Sequence, residues 1–309
     1  MQQALIYHRL VSILGADNVR RDVSMKEHTS IRTGGTVDIF AEPDRTDTLA
    51  VLIHDLKENE IPFYIIGNCS NLIISDEGFR GVFIRIGPKL SAIGVEGETV
   101  KAQAGASLAA VAARACEEGL TGMEFASGIP GTVGGAAYMN AGAYDGEMSQ
   151  VINQTINLDA DGRVVILSGQ EHDFGYRHSR IMDKGLIVTE VHLALKKGDP
   201  IAIRNKMNDL NARRRDKQPL SLPSAGSVFK RPEGFFAGKL IQDCGLKGLT
   251  LGGAQVSEKH CGFIVNTGNA TSSDVIGLIE IVREKVLKET GVLLEPEVRI
   301  IGGFSKCSS

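Results

Sequence analysis

The chain has 309 residues, which exceeds one average domain and is enough for two hydrophobic cores. Hydrophobic residues make up 42% of the sequence, a share that excludes an intrinsically disordered protein. The formal net charge is -3, with acidic and basic residues mixed along the chain. The composition therefore shows no overall positive charge of the kind that nucleic-acid-binding proteins carry, but it does not exclude a local anion-binding site.

The cysteines and the N-terminus indicate the cellular compartment. The cysteine count is odd and no pair has a C-x-x-C spacing, which argues against a disulfide framework or a zinc cluster; the residues are Cys69, Cys116, Cys244, Cys261 and Cys307. His8 and Arg9 interrupt the first apolar run, so it predicts an amphipathic helix and not a signal peptide. No apolar stretch is long enough to span a bilayer. We expect a cytoplasmic protein with no metal and no membrane or nucleic-acid partner.

Up to Gly119 the chain alternates helical and extended patterns. Helical periodicity predicts helices over residues 3–14, 47–59 and 107–118, with Gly15 and Gly119 as C-terminal stops and Asp44 or Thr46 as the cap of the second helix. Apolar and β-branched runs predict strands over residues 36–41, 62–66, 82–86 and 92–97. The strand 62–66 should be buried, and it leads directly into the polar loop 67–71.

The pattern changes between residues 122 and 146, where seven glycines stand at irregular spacing among alanines and polar residues. Such a stretch suits a backbone held close to a ligand. Strands are then predicted over residues 151–158 and 163–167, joined by a hairpin turn at 159–162, and over residues 186–195.

Residues 197–200 (KGDP) give the strongest boundary signal. A helix over 201–215, a loop rich in proline and serine, and an α/β segment follow. The helix predicted over 272–290 has one apolar face, formed by Val275, Leu278, Ile279, Val282 and Val286. The chain should therefore be an α+β protein with two regions, residues 1–200 and 201–309.

Three loops of the first region could bind a ligand. The glycines at 128–135 (GIPGTVGG) could bring backbone N–H groups to phosphate oxygens, but their spacing fits neither a Rossmann nor a Walker motif. Spacing alone leaves a purely structural loop equally open. Residues 28–35 (HTSIRTGG) and 67–71 (GNCSN) offer hydroxyls, amides and a cation, although each alone is usually an ordinary turn. Together, the three loops favour one large phosphorylated ligand.

The order of these motifs carries a family resemblance. TSIRTGG (29–35), GNCSNLIISDEGFRG (67–81) and GIPGTVGGAAYMNAGAY (128–144) are followed by FGYRHSR (174–180), SAGSVFKRP (224–232), GGAQVSEKHCGFIVN (252–266) and EPEVR (295–299). This series covers nearly the whole chain. It resembles the UDP-N-acetylenolpyruvoylglucosamine reductase (MurB) family, and the absence of a long insertion after Arg180 resembles its shorter, Gram-positive-type subclass.

The resemblance implies a fold and a reaction. It implies an FAD-binding domain of the vanillyl-alcohol-oxidase (PCMH) type, with a core at about residues 34–198, followed by a smaller α/β substrate-binding domain. It also implies non-covalent FAD, NADPH as co-substrate, and reduction of UDP-N-acetylglucosamine enolpyruvate to UDP-N-acetylmuramate for peptidoglycan synthesis. The implied FAD contacts are Arg32, Thr33, Gly34, Gly67, Asn68, Cys69, Ser70, Asn71, Ser127, Gly128, Ile129, Gly131, Thr132, Gly134, Gly135 and Ala137.

Three residues carry the chemistry that the resemblance implies. Hydride from flavin N5 reaches the terminal carbon of an enol ether. The carbon beside the carboxylate then gains negative charge, which must be stabilised until that carbon is protonated. Arg177 would hold that carboxylate, Ser227 would donate the proton, and Glu297 would polarise the intermediate. Without the resemblance, each has an ordinary structural explanation. A strand over 294–301 would place Glu295, Glu297 and Arg299 on one face.

The substrate contacts implied by the resemblance are Tyr176, Lys217, Lys230, Gln255 and Arg299. Lys217 would hold the UDP diphosphate. Lys230 is also a candidate for lowering the proton affinity of Ser227. The basic run at 213–217, at the end of a predicted helix, is sufficiently explained by the helix dipole.

Three positions depart from the family pattern, and two rival functions stay open. Cys69 and Asp145 stand where glycine is common, and Arg231 stands where asparagine is common. Cys69 puts the backbone of its loop in question, because a positive φ is costly without glycine, and it makes a covalent flavin link conceivable. The rivals are an oxidase of a small alcohol on the same flavin domain, and a nucleotide-sugar sensor that binds no flavin.

Overall fold

The computed structural model describes residues 2–302, so Cys307 lies outside the described residues. It has eight helices within that range: α1 Gln2–Leu14, α2 Thr46–Glu58, α3 Leu108–Glu117, α4 Val133–Met139, α5 Arg180–Asp183, α6 Pro200–Lys217, α7 Ala237–Asp243 and α8 Ser272–Thr290.

Nineteen strands lie in the same part of the chain. They are β1 Val19–Ser24, β2 Thr36–Ala41, β3 Phe63–Ile66, β4 Leu72–Ile74, β5 Phe79–Arg85, β6 Ile93–Glu96, β7 Thr99–Gln103, β8 Leu120–Thr121, β9 Gly142–Ala143, β10 Gly146–Glu147, β11 Ile152–Leu158, β12 Val164–Ser168, β13 Ile187–Ala194, β14 Lys196–Lys197, β15 Ser224–Ser227, β16 Thr250–Leu251, β17 Ala254–Val256, β18 Phe263–Asn266 and β19 Arg299–Ile301.

The chain folds into two compact units that are discontinuous in sequence. Unit 1 comprises residues 1–21, 39–68 and 81–214, and unit 2 comprises residues 22–38, 69–80 and 215–309. This division differs from the predicted boundary at residue 200 in two ways. Nearly all of α6 belongs to unit 1, and two short early segments belong to unit 2. A boundary signal in a loop reveals where the chain can turn, but not which core its segments join.

Unit 1 is built on a five-stranded antiparallel sheet with the order β12-β11-β13-β7-β6. Strands β3 and β5 pair in parallel, with Phe63 opposite Val82. The predicted hairpin forms between β11 and β12. Asp159 fixes its turn, because its carboxylate accepts hydrogen bonds from the N–H groups of Asp161 (2.8 Å) and Arg163 (2.9 Å). The apolar faces of α1, α2 and α3 contribute to one core.

Unit 2 contains a four-stranded antiparallel sheet, β15-β18-β17-β16, and a parallel pair, β4 and β19. Helix α8 contributes the predicted face, since Val275, Leu278, Ile279, Val282 and Val286 are all buried. Thr271 and Asp274 form a capping box at the start of α8, and Gly291 ends the helix in the left-handed conformation. Ile31 and Ile73 belong to the same core, which explains why their segments join unit 2.

Three local predictions were wrong. Arg45, and neither Asp44 nor Thr46, is the cap residue of α2, and its side chain makes no capping hydrogen bond. Strand β3 is mostly half-buried, because only Ile66 of its residues is fully covered. The strand predicted over 294–301 forms only at Arg299–Ile301, because the chain before it makes an isolated bridge from Pro296 to Phe229.

No helix in residues 2–302 is long and apolar enough to cross a membrane. Over the same residues, no group of three or more histidine, cysteine, aspartate or glutamate side chains could hold a metal ion. Cys69, Cys116, Cys244 and Cys261 are buried thiols.

Candidate active site

The glycine loop of unit 1 is closely packed against its neighbours. A Cβ on Gly67 would lie 2.6 Å from Oγ1 of Thr132, and one on Gly134 would lie 2.6 Å from Cβ of Ala104. Real side chains do not tolerate such contacts, so both positions require glycine. The N–H of Gly134 donates to Ala104 O (2.9 Å). The fold itself therefore accounts for two of the predicted FAD-contact glycines.

The hydroxyls in this loop also have partners within unit 1. Thr132 caps α4, because its Oγ1 accepts from the N–H of Gly135 at 3.2 Å. Ser127 donates its hydroxyl to Glu124 O at 2.9 Å. Ile129 and Gly131 are half-buried, whereas Ala137 is buried in α4. Among the predicted cofactor residues here, Gly135 is exposed, Gly128 is half-buried like Ile129 and Gly131, and Gly134 is buried.

Arg214 lies beside this loop and was missed as a site residue. A Cβ on Gly128 would lie 3.1 Å from Cδ of Arg214 and 2.5 Å from Oδ1 of Asn211. Burial lowers the pKa of the Arg214 guanidinium, and Tyr144 opposes that shift. A signal was available in the sequence. Arg214 follows the buried Leu210 by four residues, so it continues the inward face of α6.

Arg177 lies at the tip of a tight turn in unit 1. The backbone N–H groups of Gly175 and His178 donate to each other's carbonyl oxygens at 3.1 and 3.2 Å. Arg177 has a φ of 54°, which is uncommon for a residue with a side chain. Its Nη2 donates to Gly142 O at 3.2 Å, and its Cζ lies 4.9 Å from the ring centroid of Tyr176. Tyr176 is exposed.

Two loops of unit 2 contain the other predicted FAD contacts except Asn68, which ends a segment of unit 1. Cys69 has a φ of 48°, so the chain adopts the left-handed conformation there without glycine, and Arg32 has a φ of 58°. The loops meet where Ser30 N–H donates to Cys69 O at 3.3 Å. Thr33 is buried, and its hydroxyl forms a hydrogen bond with the Ser272 hydroxyl, with 2.9 Å between the two oxygens. Gly34 is closely packed, since a Cβ there would lie 3.1 Å from that of Met25.

Ser227 and Glu297 lie on adjoining backbone segments of unit 2. Glu297 N–H donates to Val228 O at 2.7 Å. Asn71 joins the same place, because its Nδ2 donates to Glu297 O at 3.1 Å and its carbonyl accepts from Arg299 N–H at 3.0 Å. The Ser227 hydroxyl donates to Phe229 O at 3.2 Å. The structure thus brings the serine, the glutamate and a predicted cofactor loop together.

The remaining predicted substrate contacts of unit 2 are less closely grouped. Lys230 forms an ion pair with Glu295, with 3.3 Å between Nζ and Oε2. Gln255 is half-buried on β17, and its amide donates to Gly248 O at 3.4 Å. Lys217 is exposed at the end of α6. Arg299 is half-buried on β19, which pairs with β4.

His260 is a second neighbour that was missed. Its Nδ1 accepts from Gly262 N–H at 3.1 Å. A Cβ on Gly262 would lie 3.1 Å from that Nδ1 and 3.6 Å from Ser227 Oγ. Burial lowers the pKa of His260, which favours a neutral imidazole. No spacing in the sequence marks His260 as a site residue, because only the pairing of strands brings it near Ser227.

The other two departures have local explanations. Asp145 has a φ of 64° and follows Tyr144 with a φ of 53°, so two residues with side chains share a left-handed turn. Arg231 stacks on Phe236, with 4.0 Å between Cζ and the ring centroid, and donates Nε to Phe235 O at 3.3 Å.

Family models define the class of protein. The model of an FAD binding domain matches residues 37–168, and the model of the UDP-N-acetylenolpyruvoylglucosamine reductase C-terminal domain matches residues 218–301. These matches confirm the predicted order of an FAD-binding domain followed by a second domain. The chain is an FAD-dependent oxidoreductase.

Relatives in the same class extend over almost the whole chain. It is 49% identical to the UDP-N-acetylenolpyruvoylglucosamine reductase of Clostridium botulinum, over 98% of this chain and 99% of the relative. That of Alkaliphilus oremlandii is 50% identical, with the same coverage. The crystal structure of the Thermus caldophilus enzyme (MurB) matches with a TM-score of 0.79 and 34% identity, over 91% of this chain and 98% of that one. This chain belongs to the UDP-N-acetylenolpyruvoylglucosamine reductase family.

Proposed function

We propose that this protein uses NADPH to reduce UDP-N-acetylglucosamine enolpyruvate to UDP-N-acetylmuramate, in the cytoplasm, as a step of peptidoglycan precursor synthesis. Family membership supports the reaction. In this chain the reaction is supported by one backbone contact: Glu297 N–H donates to the carbonyl of Val228 at 2.7 Å, and Val228 directly follows Ser227. This contact keeps the proposed proton donor and its acidic partner on adjoining backbone segments.

The residues of unit 1 fit FAD at the Gly128 loop. The donor set there suits a diphosphate, because Arg214 is a partly desolvated cation next to a half-buried loop with accessible backbone. We add Arg214 and Asn211 to the proposed cofactor contacts, and we assign Gly67 and Gly134 to close packing of the loop. In unit 2 the exposed Arg32 and the loop residues Cys69–Asn71 remain candidates, while Thr33 has a structural partner. FAD, when bound, supplies the hydride.

Arg177 is the proposed anion stabiliser. A planar guanidinium can hold a carboxylate through two parallel hydrogen bonds, and these strengthen as the carboxylate gains enolate character. One side of this guanidinium already contacts Gly142 O, which restricts its orientation. Because less rotamer freedom is then lost on binding, the fork is better prepared for the substrate.

Ser227 is the proposed proton donor, and its hydroxyl must turn from Phe229 O toward the substrate to act. Lys230 can favour the serine alkoxide that forms, but its partner Glu295 balances part of that charge. We therefore assign Lys230 mainly to substrate binding, with Tyr176, Lys217, Gln255 and Arg299. Glu297 would act with Arg177 to polarise the carboxyl group of the intermediate.

A spectral experiment tests the reaction. Purified protein supplemented with FAD is reduced anaerobically with NADPH, and UDP-N-acetylglucosamine enolpyruvate is then added. We expect the flavin absorbance to bleach and then return. Protein that retains no flavin absorbance after unbound FAD is removed would contradict the proposed reaction. Flavin that a small alcohol reduces, and that the enolpyruvyl substrate fails to reoxidise, would support the oxidase.

A further inference from the structure

Asn140 is a buried amide of unit 1 whose hydrogen-bonding groups all have partners. It is 1% exposed. Its Nδ2 donates to Gly175 O at 2.9 Å and to Glu147 Oε1 at 3.2 Å, and its Oδ1 accepts from Ser149 N–H at 2.9 Å. An asparagine amide offers two N–H groups and one carbonyl, so both donors and the acceptor are engaged. These partners fix a single orientation of the side chain.

The backbone of Asn140 explains only part of this arrangement. Asn140 ends α4 with a φ of 43° and a ψ of 57°, a left-handed conformation that glycine adopts at lowest cost and asparagine tolerates. Glycine at this position would therefore satisfy the helix end as well or better. The amide has a separate task, namely its contacts with residues 147, 149 and 175.

The contact to Gly175 fastens the turn that carries Arg177. The turn is closed by the two backbone hydrogen bonds between Gly175 and His178. Arg177 has a φ of 54° within it, and a residue with a side chain in this region costs roughly 1–2 kcal/mol. Such a conformation persists only where the surroundings hold it. Asn140 is part of those surroundings, because it bonds the carbonyl at the base of the turn.

Two further bonds connect the same turn to the end of α4. Ser179 is fully buried, and its hydroxyl donates to Tyr138 O at 2.7 Å. Arg177 itself donates to Gly142 O. The chain before, within and after the turn is thus attached to residues 138–142. Of these three bonds, the one from Asn140 acts on the residues before Arg177.

We infer that Asn140 is a positioning residue for Arg177. It holds the Gly175–His178 turn through Gly175 O and thereby sets where the guanidinium meets the substrate carboxylate. The inference rests on the proposed role of Arg177. Asn140 itself contacts no substrate. Its loss should therefore impair the step in which Arg177 acts and leave flavin reduction by NADPH intact.

Asn140→Gly separates the two tasks of the residue, because it keeps the left-handed helix end and deletes the amide. We expect the amide hydrogens of Gly175 and His178 to exchange about tenfold faster, as measured by hydrogen–deuterium exchange on the protein without substrate. Reoxidation of the flavin by UDP-N-acetylglucosamine enolpyruvate should slow roughly tenfold to a hundredfold. Flavin content and the rate of reduction by NADPH should change less than about twofold.

Glu60→Gly is the matched control. Glu60 is another residue of unit 1 that follows a helix with a positive φ (51°), but it is exposed, whereas Asn140 is buried. Glu60→Gly therefore reports what glycine alone does at such a helix end. Asn140→Asp, which keeps the acceptor for Ser149 N–H but loses both donors, serves if the glycine variant does not fold. It should show the same faster exchange and the same selective loss.

Two results would overturn the inference: unchanged exchange at residues 175–178 in the Asn140 variants, or an equal loss in both half-reactions. The second would mean that Asn140 only stabilises unit 1. Failure of the wild-type protein to reoxidise its flavin with the enolpyruvyl substrate would instead overturn the proposed function. The exchange measurement would still report whether Asn140 holds the turn.

Discussion

The two units hold their proposed catalytic residues in different ways. In unit 1 the turn that carries Arg177 is attached by side chains, since the Asn140 amide and the Ser179 hydroxyl contact it from both sides of the arginine. In unit 2 the positions of Ser227 and Glu297 follow mainly from backbone pairing, because Glu297 N–H donates to Val228 O and Val228 N–H donates to Gly262 O at 2.8 Å. The Asn71 side chain adds one bond, to Glu297 O.

This difference predicts where remote changes matter. Backbone hydrogen bonds survive most substitutions, so Ser227 and Glu297 should be sensitive chiefly to their own replacement. A turn attached by side chains loses part of its support when one of those side chains is removed. Unit 1 should therefore contain residues far from the substrate that alter one half-reaction, while unit 2 should contain few.

Ser227→Ala should give the largest effect, because it removes the proposed proton donor and leaves the backbone pairing unchanged. General acid catalysis contributes roughly 10²–10⁴-fold, so reoxidation of reduced flavin by the enolpyruvyl substrate should slow by that factor in stopped-flow measurements. Reduction by NADPH should be unaffected. Ser224→Ala, on the same strand, is the control and should behave as wild type. Equal slowing of both half-reactions would show that Ser227 is not the donor.

Arg177→Lys should follow, with a loss of roughly 10²–10³-fold in the same half-reaction. A lysine ammonium is a point charge and cannot replace a bidentate guanidinium. Lysine would meet the same backbone strain at a φ of 54°, so thermal stability should change little and the effect should be chemical. Near-normal turnover would refute the proposed role and would also remove the reason why Asn140 should matter.

Local patterns in the sequence predicted the elements whose signals are short-range. Helix α8 has the predicted bounds because a capping box, an apolar stripe and a final glycine agree. Ser107 and Gly119 likewise delimit α3 as expected, since Ser107 Oγ accepts from Ala110 N–H and Gly119 has a φ of 64°. The family resemblance identified FAD and the class of enzyme, which the spacing of glycines alone had left open.

Long-range relations were not readable from the sequence. Residues 22–38 and 69–80 belong to unit 2 because Ile31 and Ile73 are buried with its C-terminal core, and no local pattern records that. Glu297 lies before β19 and not within a strand as predicted, and its backbone is held by bonds to Asn71 and Val228. The helix dipole was the expected explanation for the whole basic run at 213–217. It fits the exposed Arg213, which pairs with Asp209 at 2.7 Å, but not the half-buried Arg214.

Gly134→Ala tests whether Gly134 is required by close packing or by the approach of the ligand. The new Cβ would lie 2.6 Å from that of Ala104, so we expect a loss of about 1–3 kcal/mol in the free energy of unfolding, measured with urea. Gly94→Ala is the control, because its Cβ would meet nothing within 4 Å. If Gly134→Ala left stability unchanged and only weakened FAD binding, the glycine would serve the cofactor directly.

His172 provides the smallest test, which again concerns the side chains of unit 1. Its ring stacks on that of Phe174, with 4.9 Å between centroids, just before the Arg177 turn. Nδ1 donates to Gly169 O at 2.9 Å, because a carbonyl only accepts, so Nε2 accepts from the Thr155 hydroxyl at 3.1 Å. Burial lowers the pKa of His172 from its ordinary value of 6.5, while Glu171 opposes the shift. The buried imidazole is therefore held neutral.

The sign of the pH dependence follows from that shift. The unfolded chain takes up the proton first as pH falls, so the stabilisation from neutral His172 is complete above about pH 6.5, declines below it, and is lost beneath the folded-state pKa. The slope from one such group cannot exceed about 1.4 kcal/mol per pH unit. His172→Gln should reduce the slope of unfolding free energy against pH between 5 and 6.5. His260→Gln is needed beside it, because burial also lowers the pKa of that histidine in unit 2. If only His260→Gln changed the slope, the acid sensitivity would belong to unit 2, and the side chains before the Arg177 turn would not be its source.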